Sequence, residues 1–300
     1  MKYSALLLFI IGLGIAACNP YEQTDYQEYY VVEAYLVANR TLPHIRLSTT
    51  APVGEFYTFD NSFVTGAQME VRLLATNGSA IEETVSFSDN GDGIYLPQTN
   101  HTVQPGRTYQ LHVVPPGTNE VITGTTLVPG DFEIADNQPD TLVYQGSEQI
   151  EVTMTKSEYP GRQTIYIFNM IALEPSFQNF TPVYTDFYDE EEEEISDYVN
   201  NSSGILNEAS LTENPDGTIT VDYPWIGVAF YGENLVIANA IDDNIYDYLR
   251  SESVQLGGST LSPGEIANVI THIDGGLGVF GSFATDTIST YFSRNPNLGF

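Results

Sequence analysis

Short runs in which apolar and polar residues alternate are the feature that most restricts the fold of this chain. Two clear runs are MEVRL at 69–73 and YQLHV at 109–113. From residue 29 onward, similar runs rich in Val, Ile, Leu, Tyr and Thr are interrupted by Gly, Pro, Asn or Asp every eight to twelve residues. Because side chains alternate between the two faces of a strand, this spacing is typical of β-sandwiches and barrels. The sequence therefore predicts a mainly β fold.

The runs fall into two β-rich regions divided near residue 130. The first region, 29–130, has the length and strand number of an immunoglobulin-like sandwich. The second region, 131–300, is predicted to form a further β-rich domain. The predicted strands are 29–37, 44–48, 67–75, 93–96, 108–114 and 121–127 in the first region, and 141–144, 150–155, 164–173, 218–221, 225–231 and 235–240 in the second.

One segment of the second region follows a helical period instead. Apolar residues at positions 241, 245, 248 and 249 would share one helix face, with Asp242 and Asp243 near its start and Arg250 near its end. Because these charges suit the helix dipole, we predict one short amphipathic helix here. The sequence SPGE at 262–265 resembles a capping box and predicts a further helical turn.

The first 17 residues have the pattern of an export signal, with Lys2, an apolar run over 5–15 and then small residues. The run is shorter than the roughly 20 residues that a membrane-spanning helix needs. It ends in Ile15-Ala16-Ala17-Cys18, which resembles the recognition box of bacterial lipoproteins. We therefore predict a signal peptide over 1–17, lipid attachment at Cys18 and a polar tether over 18–28. An ordinary secretory signal with an incidental cysteine is the alternative interpretation.

Cys18 is the only cysteine in the chain. A single thiol excludes an internal disulfide, a cysteine-rich zinc cluster and a Cys-x-x-Cys redox site. Each buried methylene of an acyl chain contributes about 0.8 kcal/mol, so two or three chains on Cys18 would hold the protein on a membrane essentially permanently.

The net charge restricts the classes of partner. Nine Lys and Arg residues against 40 Asp and Glu residues give a net charge of −31. This charge repels phosphate backbones, which excludes nucleic acid as a partner, and it also excludes attachment to anionic lipid through basic patches. Part of the acidic excess lies in the acidic loop 186–197. We interpret this loop as a solvated segment, with weak binding of divalent cations or of a basic partner as the alternative.

Four glycines near the end of the chain form the most specific motif. Gly276, Gly278 and Gly281 have the G-x-G-x-x-G spacing of dinucleotide-binding loops. However, only 19 residues follow Gly281, too few for the required helix, second strand and acidic residue, and 283–292 is strand-like. We therefore predict that Gly275, Gly276, Gly278 and Gly281 permit close backbone packing or a bulge, and we predict no cofactor.

No other motif predicts catalytic residues or metal ligands. The segment 89–93, DNGDG, resembles the start of a calcium loop but has glycines at positions 3 and 5, so we predict a hairpin turn. The four histidines have no zinc-binding spacing, and no nucleophile elbow or phosphate-binding loop is present. Tyr223, Trp225 and Tyr231 are candidates for an aromatic platform that binds sugars, although such alternating rings also suit a core.

Several of these pieces together resemble one family. They are Cys18, YVVEAYL at 30–36, IRLS at 45–48, GAQMEV at 66–71 and HIDGGLGVFG at 272–281. The combination resembles the Bacteroidota outer-membrane lipoprotein family called domain of unknown function 4249, over nearly the whole mature chain. His272 stands where the family pattern has Asn, and the acidic run at 189–194 looks individual to this chain.

The resemblance implies an immunoglobulin-like N-terminal half, a β-rich C-terminal half and association with TonB-linked transport systems in the outer membrane. It implies no enzymatic activity and supplies no catalytic residues. We therefore expect a non-enzymatic, lipid-anchored outer-membrane protein, on the periplasmic or the surface face, that acts as a binding or assembly partner of an envelope transporter. A surface glycan-binding lipoprotein is the alternative, and a glycan or peptide hydrolase with paired carboxylates is a further one.

Overall fold

The computed structural model describes residues 26–297 except 53, 77, 79, 136–138 and 256–268. The predicted lipid site at Cys18 and the predicted helical turn at 262–265 lie outside the described residues.

The described chain consists mostly of strands. Its first half contains β1 (Tyr30–Val37), β2 (Ile45–Thr49), α1 (Phe59–Ser62), β3 (Gln68–Leu74), β4 (Ile81–Asp89), β5 (Ile94–Pro97), β6 (Thr108–Val114) and β7 (Ile122–Leu127). Its second half contains β8 (Thr141–Val143), β9 (Ile150–Met154), β10 (Ile165–Ala172), α2 (Pro182–Phe187), β11 (Asn200–Ser202), β12 (Leu206–Asn207), β13 (Thr212–Glu213), β14 (Ile219–Tyr223), β15 (Gly232–Ile241), α3 (Asp243–Gln255), β16 (Ile273–Asp274) and β17 (Leu277–Ser293). Short 3-10 helices lie at Phe177–Asn179, Ile195–Tyr198, Glu208–Ser210 and Trp225–Gly227.

These elements confirm the predicted mainly β class, and α3 is the predicted amphipathic helix. Among the described residues, none of the helices combines the length and the apolar character that crossing a membrane requires.

The strands form one large mixed sheet and one small antiparallel sheet. The path of the large sheet is β11-β10-β15-β17-β1-β2-β5-β4-β3-β6-β7-β16, with β12 beside β10 and β8 beside β17. The small sheet has the order β13-β14-β9.

The parallel pairing of β1 with β17 joins the two predicted regions. Val32 of β1 lies opposite Gly278 of β17, and the pairing continues to Val37 and Phe283. On its other side, β17 pairs with β15 in antiparallel orientation. The first strand of region 29–130 and the last strand of region 131–300 are therefore neighbours in one sheet.

The core follows the alternation that the sequence shows. In β1, Val32, Ala34 and Leu36 are buried while the intervening side chains are more exposed. Buried tyrosines in this core have partners for their hydroxyl groups, as burial of a polar group requires. The Tyr95 hydroxyl, for example, donates to the carbonyl oxygen of Val64 at 2.9 Å and accepts from the amide of Ala67 at 3.1 Å.

The strand pattern differs from prediction in several places. The short strands β11, β12, β13 and β16 lie outside the predicted strands, and two further differences have a clear physical reason. The segment 225–231, predicted as a strand, begins instead with the 3-10 helix Trp225–Gly227, because Pro224 has no N–H for a sheet ladder and ends β14. Strand β4 was not predicted, because only Val85 and Phe87 of its nine residues are buried and the alternation is weak.

The hairpin turn predicted at 89–93 is confirmed. It connects β4 to β5, and the amide of Asn90 donates to the carbonyl oxygen of Ile94 at 2.8 Å. Gly91 and Gly93 have φ angles of 87° and 67°, which glycine adopts without strain. The Asp89 side chain caps the turn by accepting from the amide of Gly91 at 2.8 Å.

Candidate functional site

Gly275, Gly276 and Gly278 form a seam, called here the glycine seam, where β16 passes into β17. Gly281 lies further along β17, where a Cβ atom would lie 2.5 Å from the Ile245 side chain and not against backbone. β16 pairs with β7, whereas β17 enters between β1 and β15, so the chain crosses between strands at this point. A Cβ atom on Gly275 would lie 2.6 Å from the Val121 carbonyl oxygen, and one on Gly276 would lie 2.9 Å from the Tyr30 carbonyl oxygen. This is the close backbone packing that the motif predicts.

Gly278 is the most restricted position of the glycine seam. Its φ angle is 108°, and a Cβ atom there would overlap the carbonyl oxygen of Val32 on the neighbouring strand. The motif continues into β17 as a strand, whereas a dinucleotide fingerprint lies at the turn from a strand into a helix. The geometry is therefore that of a packed seam between strands.

A buried carboxylate lies behind the glycine seam. Asp242 is 1% exposed, and its Oδ1 accepts from the amide of Ile245 at 2.8 Å, which caps the start of α3. Its Oδ2 accepts from the hydroxyl of Thr126 at 2.5 Å. Burial raises the pKa of Asp242 to about 6, although these hydrogen bonds favour the charged form. The surroundings of Asp242 are the packed interior, so we assign it a structural role.

Two side chains tie α3 to the strands around the glycine seam. The Asn244 amide donates to the carbonyl oxygens of Thr125 and Phe280, both at 2.7 Å. His272, which departs from the family pattern, has its Nε2 at 2.8 Å from Oδ2 of Asp247. His272 therefore links the start of β16 to α3.

The three aromatic residues predicted as a possible sugar platform do not form an exposed, coplanar surface. Tyr223 and Tyr231 are 2% and 6% exposed, and Trp225 is half-buried. Trp225 and Tyr231 meet the ring of Tyr144 edge-on, at interplanar angles of 70° and 78°. These rings pack as core, and only Tyr223 reaches the cavity described next.

A cavity of 650 Å³ opens between β11 and β14. Its volume lies within the range of small-ligand sites in proteins. Eight of its 15 lining residues carry a hydroxyl or amide group, six are apolar and one, Asp222, is acidic. The lining residues are Tyr184, Asn201, Ser202, Ser203, Leu206, Ser210, Leu211, Thr212, Thr220, Val221, Asp222, Tyr223, Pro224, Ile226 and Gly227.

Two strand edges form opposite walls of this cavity. In the described part of the chain, β11 pairs with β10 on one side only. β13 covers β14 only at Ile219 and Thr220, so the rest of β14, over 221–223, turns its edge toward the cavity. Strand edges of this kind carry backbone N–H and C=O groups that can pair with an added strand.

Tyrosine hydroxyls connect the walls. The Tyr223 hydroxyl donates to the carbonyl oxygen of Asn201 at 3.3 Å, and the Tyr184 hydroxyl donates to the carbonyl oxygen of Ile226 at 2.7 Å. Burial raises the pKa of Tyr223 to about 12 and raises the pKa of Tyr184. Both hydroxyls are therefore protonated at neutral pH and act as hydrogen-bond donors.

The chemistry of the cavity is that of neutral hydrogen bonding. Asp222 is the one carboxylate among the lining residues, and neither Lys nor Arg lines the cavity. Across the described ranges, no three His, Cys, Asp or Glu side chains are grouped so that they could hold a metal ion. The cavity is suited to hold a neutral or weakly basic group through backbone and hydroxyl contacts.

The acidic loop lies next to this cavity and rests on packed aromatic rings. Its glutamates are mostly exposed, but Oε2 of Glu193 accepts from the Tyr198 hydroxyl at 2.5 Å. Tyr198 packs edge-on against Phe180, whose ring stacks on Phe230 at 4.6 Å between centroids. Tyr184 belongs to the same aromatic group and to the cavity wall. The loop is thus anchored beside the cavity.

Sequence reasoning did not identify the cavity residues other than Tyr223. The walls over 200–212 are built from strands of two or three residues and a 3-10 helix, which are too short to show a period. The available signal was the density of Ser, Thr and Asn in this segment, NNSSGILNEASLT.

Comparison with known proteins gives a family and only distant structural neighbours. The family model described as "Domain of unknown function (DUF4249)" matches residues 19–289. No curated protein matches the sequence. Among solved structures, Escherichia coli alpha-2-macroglobulin activated by porcine elastase matches with 8% identity, a TM-score of 0.23 and coverage of 89% of this chain and 20% of the other.

Two further structures are similar at the same level. A tetra-tandem repeat from the extending region of a large adhesion protein has 13% identity and a TM-score of 0.24, with coverage of 89% of this chain and 50% of the other. The three N-terminal domains of the outer capsid protein Hoc of bacteriophage RB49 have 7% identity and a TM-score of 0.23, with coverage of 89% and 71%. The chain thus spans a fifth of the macroglobulin and half of the adhesion-protein structure.

Proposed function

The chain belongs to the DUF4249 family, and on that premise we propose that it is a non-enzymatic, lipid-anchored binding protein of the outer membrane. In this proposal it holds an extended segment of a protein partner that belongs to an envelope transport system of the TonB-linked type. Cys18 carries the lipid, and the cavity between β11 and β14 receives the partner.

The observation that carries the proposal is the pair of strand edges that face one cavity. An extended peptide that enters between them can pair its backbone with the β14 edge over 221–223 and with the β11 edge. Such strand addition supplies affinity through main-chain hydrogen bonds and specificity through pockets for alternate side chains. The lining supports binding because Asn201, Ser202, Ser203, Ser210, Thr212 and Thr220 bring amide or hydroxyl groups to it, and one carboxylate, Asp222, is present.

Lipid attachment at Cys18 adds a physical reason for a membrane-bound partner. A protein held in the plane of a membrane has a raised effective concentration toward other proteins of that membrane. The net charge of −31 favours a basic surface on the partner. We therefore expect high salt to weaken the complex.

The anchor and the partner are tested separately. Cys18→Ala should move the protein from the membrane fraction to the soluble fraction, and the native protein should carry acyl mass on Cys18. Unchanged membrane partition without acyl mass would contradict the anchor. Crosslinking in intact cells followed by mass spectrometry should recover an outer-membrane transporter or channel as the main partner.

A matched pair of variants tests the cavity itself. Thr212 and Thr84 are both exposed threonines in paired strands, but only Thr212 lines the cavity. We expect Thr212→Trp to reduce the yield of the crosslinked partner by roughly tenfold, equivalent to about 1.4 kcal/mol of binding free energy, and Thr84→Trp to leave it unchanged.

The hydroxyl-rich lining also favours a glycan ligand as a second candidate. A panel of neutral oligosaccharides tested against the purified protein separates the two. Saturable sugar binding that Thr212→Trp abolishes, together with no protein partner in cells, would replace the partner proposal with the glycan proposal.

A further inference from the structure

Exposed aromatic side chains form a patch beside the point where the described chain begins. The aromatic patch consists of Tyr29, Phe56, Tyr57 and Phe63, which are 42%, 88%, 48% and 37% exposed. Single exposed apolar residues are ordinary on protein surfaces, but a contiguous group of them marks a contact surface.

Strand β2 brings Tyr29, Tyr57 and Phe63 together, and Phe56 directly precedes Tyr57 in the chain. The Tyr57 hydroxyl lies 3.2 Å from Oγ of Ser48, and Ser48 also forms a backbone bridge with Phe63. Thr50 lies two residues after Ser48, just beyond the end of β2, and its amide donates to the carbonyl oxygen of Tyr29 at 2.9 Å. Since two residues of a strand span about 7 Å, Tyr29, Tyr57 and Phe63 attach to neighbouring points of one surface.

The N-terminal segment is fixed at the same place. The Tyr26 hydroxyl donates to the carbonyl oxygen of Thr50 at 2.5 Å. Tyr26 is eight residues after Cys18, and eight extended residues span at most about 28 Å. An acyl group on Cys18 therefore keeps Tyr26 and the neighbouring aromatic patch within that distance of the membrane.

We propose that the aromatic patch contacts the interface of the lipid bilayer and thereby orients the anchored protein. This inference rests on the lipid anchor of the proposed function. Phe56, the most exposed member, enters the boundary between headgroups and acyl chains, while the tyrosines lie at the level of the headgroups. Tyrosine rings are enriched at this depth because they are apolar along the body and polar at the tip.

The charges around the aromatic patch select the kind of lipid. Glu55 and Asp60 are exposed within the same segment, and the net charge of the chain is −31. Arg46 contacts the segment, with its guanidinium 4.0 Å above the Phe59 ring, but its charge is paired with Glu33 at 3.0 Å. Anionic lipid would repel this surface, so the lipid contacted is zwitterionic.

Fluorescent labels at two positions test the inference in the acylated, full-length protein. The only natural cysteine is Cys18, which lipidation blocks, so a cysteine introduced elsewhere is the single reactive thiol. Phe56→Cys places an environment-sensitive dye in the aromatic patch. Ile81→Cys is the matched control, because Ile81 is 51% exposed and lies at the start of β4. The nine residues of β4 span about 27 Å. Asp89, at the other end of β4, accepts from the amide of Gly66, which is three residues after Phe63 of the aromatic patch.

The proteins are reconstituted into phosphatidylcholine vesicles and separated by flotation. We expect the dye at position 56 to shift to shorter wavelength and to be quenched by a lipid-borne quencher at least threefold more than the dye at position 81. Phosphatidylglycerol in the vesicles should reduce this difference, and added salt should restore it.

The outcomes separate this inference from the anchor. If the protein floats with the vesicles but both dyes are quenched equally by aqueous iodide, the membrane contact of the aromatic patch is overturned while the anchor stands. If the protein does not float and carries no acyl mass, the anchor fails and the inference fails with it.

Discussion

The glycine seam and the cavity lie in the same half of the chain but are built in opposite ways. The seam belongs to β17, a strand of 17 residues, and brings backbone against backbone with no room for a Cβ atom at Gly278. The cavity is enclosed by strands of two to five residues and by 3-10 helices, and it presents strand edges and hydroxyl groups. The fold thus combines a tightly packed strand junction with an open site, and we expect binding at the open site.

The largest expected effect tests whether space at the glycine seam is limiting. Gly278→Ala should lower the free energy of unfolding by at least about 3 kcal/mol, because it combines a left-handed φ of 108° with overlap of the Val32 carbonyl oxygen. Gly106→Ala is the control, since Gly106 has a φ of 70° but nothing within 4 Å of a new Cβ atom. Its cost should be about 1 kcal/mol. Urea unfolding measures both, and equal losses would show that the backbone angle alone matters.

The next effect concerns the buried carboxylate behind the seam. The pKa of Asp242 is about 6 in the folded protein, whereas the ordinary pKa of an aspartate side chain, which the unfolded chain retains, is 3.8. Between pH values of about 4 and about 6, the Asp242 carboxyl is therefore protonated in the folded state but ionised in the unfolded state. The free energy of unfolding consequently falls as the pH rises through this range. Relative to the wild type, Asp242→Asn should gain roughly 2–3 kcal/mol of unfolding free energy between pH 4 and pH 7.

Urea unfolding at both pH values checks this prediction. Asp222→Asn, an exposed change at the cavity, controls for the loss of one negative charge. A constant difference in stability between Asp242→Asn and the wild type across the pH range would contradict the proposed burial of Asp242.

A smaller effect is expected at the cavity wall. Tyr223→Phe removes the hydroxyl that donates to the Asn201 carbonyl oxygen, which should cost about 1 kcal/mol of unfolding free energy. Tyr291→Phe, at a position that is 49% exposed on β17, should change stability by less than about 0.5 kcal/mol. If Tyr223→Phe destabilised the protein as strongly as Gly278→Ala, the cavity wall would tolerate substitution no better than the glycine seam, which would contradict the contrast between the two regions.

The smallest effect is expected in the acidic loop. Glu190 and Glu191 are exposed, so the double change Glu190→Gln with Glu191→Gln should alter the unfolding free energy by less than about 0.5 kcal/mol. Thermal unfolding with and without calcium measures this effect. Stabilisation by calcium that the double variant abolishes would favour the cation-binding alternative for the loop.

The sequence shows the seam more clearly than the cavity for a physical reason. Gly278 is needed because no other residue fits its backbone angle and its surroundings, so the requirement is visible in one residue type. The strands were predictable where alternation was strong, as in β1 and β6, but the parallel pairing of β1 with β17 was not, because it joins distant segments. Pairing partners are set by tertiary packing, which periodicity does not encode.

The cavity could not be predicted because its function-bearing groups are mainly backbone edges. Asn201 and Thr212 carry no motif, and their strands are short. Tyr223 was identified only as an aromatic residue, and whether it packed inside or faced solvent depended on the turn that begins at Pro224. The pattern predicts a strand over 225–231, whereas Pro224 and Gly227 direct the chain into a 3-10 helix.

The central claim is that this protein holds a partner in the cavity at the membrane, and site-specific photocrosslinking in intact cells tests it most directly. A photoreactive amino acid is placed at position 212, on the cavity, or at position 84, away from it, with Cys18 unchanged. We expect an adduct with an outer-membrane transporter or channel from position 212 and none from position 84. The same adducts from both positions, or an unmodified purified protein that turns over a glycan or peptide, would contradict it.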